Sequence, residues 1–507
     1  MPGFLFCAGC ILVYYDMAST IQSELKRETA RSFIRGVVKL VILICIVLEL
    51  WHAWLKPLPD GIPYSGQVRE ASDVRFLSDV TFTDATGARH VRQQIFDEVM
   101  QMIAGAEKLV LVDMFLFNDF QGPKPELTRP LSSELTEALI KRKKEVPSLQ
   151  IVFITDPINI VYGGMESSHL EALKAAGARV VISRLDQLHD SNPAYSGIWR
   201  LAIRHFGNTT HGDMLPNPFG DGRVSLMSWL NMLNFKANHR KVILADSREG
   251  WSALVTSANP HDASSAHGNA AVRFSGRAVD DLYQSELAVI RYSAPEVIAS
   301  LPQSLKIQDA PAGVGISVIT ESAILHALND TIRQAGEGDS LDMAVFYLSE
   351  RSVIEDLIAA RKRGASVRVM LDPNFDAFGH EKNGIPNRPV AKELTDSGID
   401  VRWCDTHGEQ CHAKILLADY ASGSSRLIAG SANFTRRNLA DLNLETDVLA
   451  EGASTSTSFA DARAYFNLIW HNREAESYSL PYDRYSEDSR LKRAIYRAQE
   501  ATGLCTF

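Results

Sequence analysis

Residues 238–246 read NHRKVILAD, and residues 411–419 read CHAKILLAD. Each joins a polar head to a short apolar run, the pattern of a buried strand that ends in a polar corner. A second apolar run and a small-residue turn follow each, LVTSAN at 254–259 and LIAGSAN at 427–433. The flanks repeat as well. VLVDMFLF (110–117) is matched by LDMAVFYL (341–348), and LQIVFIT before Asp156-Pro157 is matched by SVRVML before Asp372-Pro373. Helical patterns at 133–144 and 170–176 have counterparts at 353–363 and 390–396, and Gly177, Gly364 and Gly398 follow three of them. Glycine suits that place because the residue after a helix end often takes a left-handed backbone. Strands alternating with helices in two copies predict a tandem duplicated α/β sandwich with mixed sheets.

The copies are bounded at 56–304 and 305–475, with a C-terminal tail at 476–507 that holds an amphipathic helix from Asp488 to Thr502. The first copy is longer. Its excess falls at roughly 187–235, just before the first motif, and contains Trp199, Trp229 and VSLMSWLNMLNF (224–235). Such an insertion reads either as a lid or binding loop, or as an excursion with its own small core.

The chain has 507 residues, and 45% apolar with 22% charged residues is an ordinary globular balance that excludes a disordered or collagenous protein. The net charge of −9 gives no global basic surface, so dedicated nucleic-acid binding is not expected. Six cysteines are too few for a disulfide scaffold. No CxxC pair recurs, and neither HExxH nor GxxxxGK[ST] occurs, so no zinc site or P-loop is expected. Cys404 and Cys411 flank the turn before the second motif, where the choice is between a disulfide and two free thiols.

Residues 36–55, GVVKLVILICIVLELWHAWL, match one hydrocarbon thickness at about 1.5 Å per helical residue and predict one N-terminal transmembrane helix. Lys39, Glu49 and His52 interrupt it, while Trp51 and Trp54 suit an interfacial belt. A buried core helix or a signal-peptide core are the other readings; Lys56-Pro57-Leu58-Pro59 in place of a small-residue cleavage pattern favours the anchor. Lys26, Arg27, Arg31 and Arg35 keep segment 1–35 cytoplasmic and send the catalytic region to the extracytoplasmic, periplasmic side. A shorter apolar stretch at 3–15 is too short to span.

Both copies carry His-x-Lys-x4-Asp and a downstream Ser-x-Asn. These are His239, Lys241, Asp246, Ser257 and Asn259, then His412, Lys414, Asp419, Ser431 and Asn433. His and Lys two apart on a strand share a face. Lysine supplies a charge and asparagine an amide donor, a set that suits the equatorial oxygens of a phosphate. Two copies meeting face to face would put imidazoles on opposite sides of one phosphorus, one to attack and one to protonate the leaving oxygen. No metal or other cofactor is required for that chemistry. Asp246 and Asp419, at odd spacing from each lysine, are expected to support the backbone or a distant pair.

These motifs resemble those of the phospholipase D superfamily over about residues 70–475. The resemblance implies a covalent phosphohistidine intermediate, followed by attack of water or an alcohol. It also implies an acidic residue after the Asn, bonded to the motif His of its own copy. Glu445 looks like that residue in the second copy, whereas the first has Asn269 there. Own-copy pairing would make His412 the more basic ring, because a carboxylate stabilises imidazolium and an amide only orients it. Family precedent instead places the nucleophile at His239, with His412 the alternative. The membrane segment and the apolar insertion favour a phospholipid substrate over nucleic acid. A cardiolipin synthase-like phosphatidyltransferase and a nuclease are the alternatives.

Overall fold

Alternation within the two opening runs sorts their side chains onto opposite faces of a sheet. The computed structural model describes residues 5–502 apart from 123, 308, 311–312 and 378–379. In the first half the central strands are β1 (Arg69–Asp84), β2 (Leu109–Met114), β3 (Gln150–Thr155), β4 (Arg179–Ile182), β5 (Lys241–Ser247), β6 (Gly250–Thr256) and β7 (Asn269–Gly276). Their counterparts are β8 (Val314–Thr320), β9 (Ser340–Val345), β10 (Ser366–Leu371), β11 (Asp400–Cys404), β12 (Lys414–Asp419), β13 (Ser424–Gly430) and β14 (Thr446–Ala453).

The spatial order is β4-β3-β2-β5-β6-β7-β1 in one half and β8-β14-β13-β12-β9-β10-β11 in the other. Within it, β2, β3 and β4 run parallel, as do β9, β10 and β11. The remaining pairs are antiparallel, so the sheets are mixed. The halves join edge to edge where β1 pairs with β8, Arg69 opposite Ile316. Two parallel bridges, Asn238 with Leu444 and Gly268 with Cys411, stitch them again beside the motifs.

Burial follows the alternation. Val242 and Leu244 of β5, and Ile415 and Leu417 of β12, enter one core shared by both halves. Ile243 and Ala245 face a core private to the first half, and Leu416 and Ala418 one private to the second. Helices Ala278–Ser293 and Thr457–His471 contribute Leu282, Val289, Phe459 and Phe466 to the shared core. In the tail, helix Arg490–Thr502 buries Tyr496 against the second half, and Glu500 accepts from Ser349 Oγ at 2.6 Å.

The expected 36–55 transmembrane helix takes another form. Those residues are the end of one 46-residue helix, Leu5–Leu50, followed by a π-helical turn at Trp51–Leu55. Among the described residues no helix is long and apolar enough to cross a membrane. Arg35, Lys39 and Glu49 break the apolar part, and the helix changes type at Trp51. Val37, Leu40, Leu43, Val47, Trp51 and Trp54 nevertheless stand exposed. The side chains of stretch 3–15 lie outside the described residues.

The insertion has its own polar framework. Asp190 pairs with Arg200 at 2.7 Å and with Lys236 at 2.6 Å, all three nearly sealed from solvent. Trp199 Nε1 donates to Asn231 Oδ1, and Trp229 Nε1 to the Pro216 carbonyl, each at 2.9 Å. Its short helix Ser196–Leu201 seats the long N-terminal helix: a Cβ at Gly197 would lie 2.6 Å from the Cys45 carbonyl oxygen. That contact is the reason for glycine there. Cys404 and Cys411 form a disulfide.

One buried cation locks the seam. Arg240, between the motif residues, is fully buried and bonds Glu286 at 3.1 Å and Glu321 at 2.8 Å. Glu321 Oε1 also accepts the Glu445 amide of the second half at 3.0 Å. Removing the cation strands two carboxylates in a dry interior. Arg240→Ala is therefore expected to lower unfolding stability by about 3–5 kcal/mol, read by urea titration; a loss under about 1 kcal/mol would show that the cluster is dispensable.

Candidate active site

The regular strands begin at Lys241 and Lys414, so His239 and His412 precede them on the bridging segments. This corrects the expectation that His and Lys alternate along one strand. Contacts between the halves hold each histidine instead. His239 N donates to Leu444 O at 2.8 Å, and His412 N to Gly268 O at 2.7 Å. The Asp-Pro corners brace the residue in front: Asp156 Oδ2 accepts from Asn238 N at 2.7 Å, and Asp372 Oδ2 from Cys411 N at 2.9 Å. Strand ends that served only as repeat markers in the sequence are thus the supports of the motif histidines.

The lysines point back along their own motifs. Lys241 Nζ donates to His239 O at 2.7 Å, and Lys414 Nζ to His412 O at 2.6 Å. Phe115 and Phe346, matched positions in the repeat, lie beneath them at 5.0 and 5.3 Å. The same rings flank the imidazoles, at 4.7 Å from His239 and 5.2 Å from His412.

The partners of the imidazoles are crossed. His239 Nδ1 meets Glu445 Oε2 of the other half at 2.9 Å, and His412 Nδ1 meets Asn269 Oδ1 at 3.1 Å. The expected own-copy pairing is therefore wrong, because each bridge lays one half's motif beside the other half's acidic position. Ser431 Oγ donates to Glu445 Oε2 at 2.5 Å, Asn438 Nδ2 reaches its other oxygen, and Ser257 Oγ donates to Asn269 Oδ1 at 2.9 Å. Asn269 Nδ2 is committed to His267 O at 3.0 Å, so its oxygen faces the ring. Each Nδ1 then carries the hydrogen, and each Nε2 presents its lone pair to the site.

Electrostatics tie the halves into one site. Burial first, then Lys241 and Lys414, hold His239 well below the ordinary imidazole value. Burial, Lys414, His267, Lys241 and His239 do the same to His412. Burial brings Lys241 down to about 7 and Lys414 well below its usual value, and lifts Glu445 to about 7. Burial, and for Lys414 the repulsion of Lys241, leave the two ammonium groups poorly solvated, so a phosphate anion placed beside them would be held favourably.

Of the other motif residues, Asn259 and Asn433 are buried beside the turns, and Leu116 N donates to Asn259 Oδ1 at 3.4 Å. Asp246 Oδ1 accepts from Lys108 N and Leu109 N at 2.8 and 2.9 Å. Asp419 pairs with Arg463 at 2.6 Å. Neither aspartate contacts the histidines. The sequence reading passed over Phe115, Phe346, Asp156, Asp372 and His267; only their repetition, or in the last case proximity to Asn269, could have drawn attention to them. Among the described residues no group of His, Cys, Asp and Glu is placed to hold a metal ion.

Residues 328–470 match the family described as "Cardiolipin synthase, PLD-like domain". Phosphatidylserine synthase from Haemophilus influenzae Rd KW20 has a similar structure: TM-score 0.53 and 11% identity, over 91% of this chain and 98% of that one. At that identity the likeness is one of fold. Nuc from Salmonella typhimurium, a phospholipase D family member, aligns over 33% of this chain and 99% of its own with 20% identity and TM-score 0.25. No curated protein matches the sequence.

The lysine held at about 7 weakens the empty protein. Its folded value lies below its unfolded one, so the penalty is full below the folded value and fades as pH rises toward the unfolded value. At pH 7 it amounts to roughly 4 kcal/mol before the lost hydrogen bond to His239 O is counted. Lys241→Met is expected to raise Tm by a few degrees at pH 6–7, with a smaller gain at pH 9, in scanning calorimetry; a lower Tm at pH 7, or a gain that grows from pH 7 to pH 9, would contradict this account.

Proposed function

We propose that this chain, a member of the phospholipase D superfamily, cleaves phospholipid diesters through a covalent phosphohistidine on His239. The observation that carries the reading is the crossed, unequal pairing of two imidazoles over two buried lysines. An anionic diester between Lys241 and Lys414 offsets the cations that suppress both rings. Nε2 of neutral His239 attacks phosphorus, and the resulting cationic ring is balanced by Glu445. With the anion bound, His412 takes up a proton from solvent at Nε2 and becomes cationic; the P–O bond to the head group then breaks as His412 gives that proton to the leaving oxygen and returns to the neutral form. His412, oriented only by an amide, is the stronger acid of the two. In the second step neutral His412 takes a proton from the incoming water or alcohol. That oxygen attacks phosphorus, the P–N bond breaks, and His239 is released neutral. Water gives phosphatidic acid; an alcohol gives a new diester, as a cardiolipin synthase-like transferase would.

The roles separate with an activated donor whose leaving group, p-nitrophenol, needs no proton. His412→Ala is expected to keep a stoichiometric burst and a trapped phosphoprotein, whereas His239→Ala gives neither. A burst from His239→Ala but not from His412→Ala would exchange the two assignments. No turnover of short-chain phospholipid by the unaltered protein would remove the lipid reading.

The exposed apolar residues between Val37 and Trp54 support membrane attachment through residues 36–55. The full chain is expected to stay in the membrane pellet through an alkaline carbonate wash, and a chain lacking 1–55 to be released. Release of the full chain would overturn the anchor.

A further inference from the structure

The two sides of the site are not chemically alike. Phe115-Leu116 in the first half corresponds to Phe346-Tyr347 in the second. On the second side stands a further cation, Lys382, whose Nζ donates to the Tyr347 hydroxyl. It lies 5.3 Å from the Phe346 ring and 5.0 Å from that of Tyr347. Phe346 is the ring packed against His412. The charge of Lys382 is felt at His267 and at Asp372, the residues on either side of His412. Neither the motifs nor the mechanism above uses it.

Position gives this lysine a role. With His239 as nucleophile, in-line displacement sends the leaving head group to the His412 side, where Lys382 stands. Aromatic faces near a diester site could receive a quaternary ammonium. Here protein cations already occupy them: Lys241 over Phe115, Lys414 and Lys382 over Phe346, and Lys382 over Tyr347. A cationic head group would meet an ammonium in place of a ring face, at a cost in like-charge repulsion. An anionic group would meet a charge-assisted donor held in place by Tyr347.

We propose that Lys382 sets head-group specificity, selecting phospholipid diesters whose head group carries a second anionic group, a phosphate above all, and disfavouring cationic head groups. The inference rests on the phospholipid reading and on the assignment of His239 as nucleophile. Lys382 acts through the leaving group, so its effect falls on the ratio between donors.

Three monomeric short-chain phosphatidyl donors test it, with glycerol phosphate, glycerol or choline as head group; monomers avoid effects of vesicle charge. The unaltered protein is expected to favour the glycerol phosphate donor over the choline donor by at least tenfold in kcat/KM. Lys382→Met should reduce that ratio at least fivefold, chiefly through KM for the phosphorylated donor, and Lys382→Arg should retain most of it. An unchanged ratio in Lys382→Met, or a native preference for choline, overturns the inference while leaving diester cleavage intact. Failure of the unaltered protein on all three donors overturns the phospholipid reading and this inference with it.

Discussion

The molecule is organised around two lysine ammonium groups kept out of water at the seam of a duplicated sheet. Lys241 and Lys414 are fully buried, and each has a carbonyl of its own motif as hydrogen-bond partner. Charges so placed are unfavourable in the empty protein, and much of the surrounding structure reads as a response. Glu445, Asp447, Asp113 and Asp156 supply negative potential to Lys241 from a distance. The incomplete neutralisation that remains disposes the site toward a phosphate.

The duplication gives the frame, and the places where it is broken give direction. Equivalent Asp-Pro corners hold equivalent backbone amides, and equivalent phenylalanines support equivalent lysines. Against this symmetry Glu445 faces Asn269, and Tyr347 with Lys382 faces Leu116. On the proposed mechanism, the first inequality distinguishes the ring that can bear positive charge from the ring that gives up its proton. On the same proposal, the second marks the side that would receive a polar leaving group. The insertion breaks symmetry elsewhere, joining the long N-terminal helix to the first half through Gly197 and to the second through Arg437, whose Nη1 donates to Ser191 Oγ at 3.0 Å.

Local physics explains which elements were readable in the linear chain. The runs around 110–117, 149–155 and 241–246 are continuous and apolar because their strands are covered on both faces, and Gly177, Gly364 and Gly398 do adopt positive φ after their helices. The start of β5 and β12 was misplaced by the sequence reading, since His239 and His412 leave the ladder of their own half to bond the other. The N-terminal segment was misread: among the described residues no helix is long and apolar enough to cross a membrane, and helicity continues back to Leu5 through polar residues with good helix propensity.

By itself the sequence determined the duplicated α/β architecture and the eight histidines, lysines, asparagines and serines at its centre, because strand burial and motif spacing are local and occur twice. Which imidazole receives the carboxylate was decided only by the tertiary structure. That pairing spans 206 positions along the chain. It arises because two short parallel bridges exchange the acidic positions between halves, and no periodicity within either copy records that exchange.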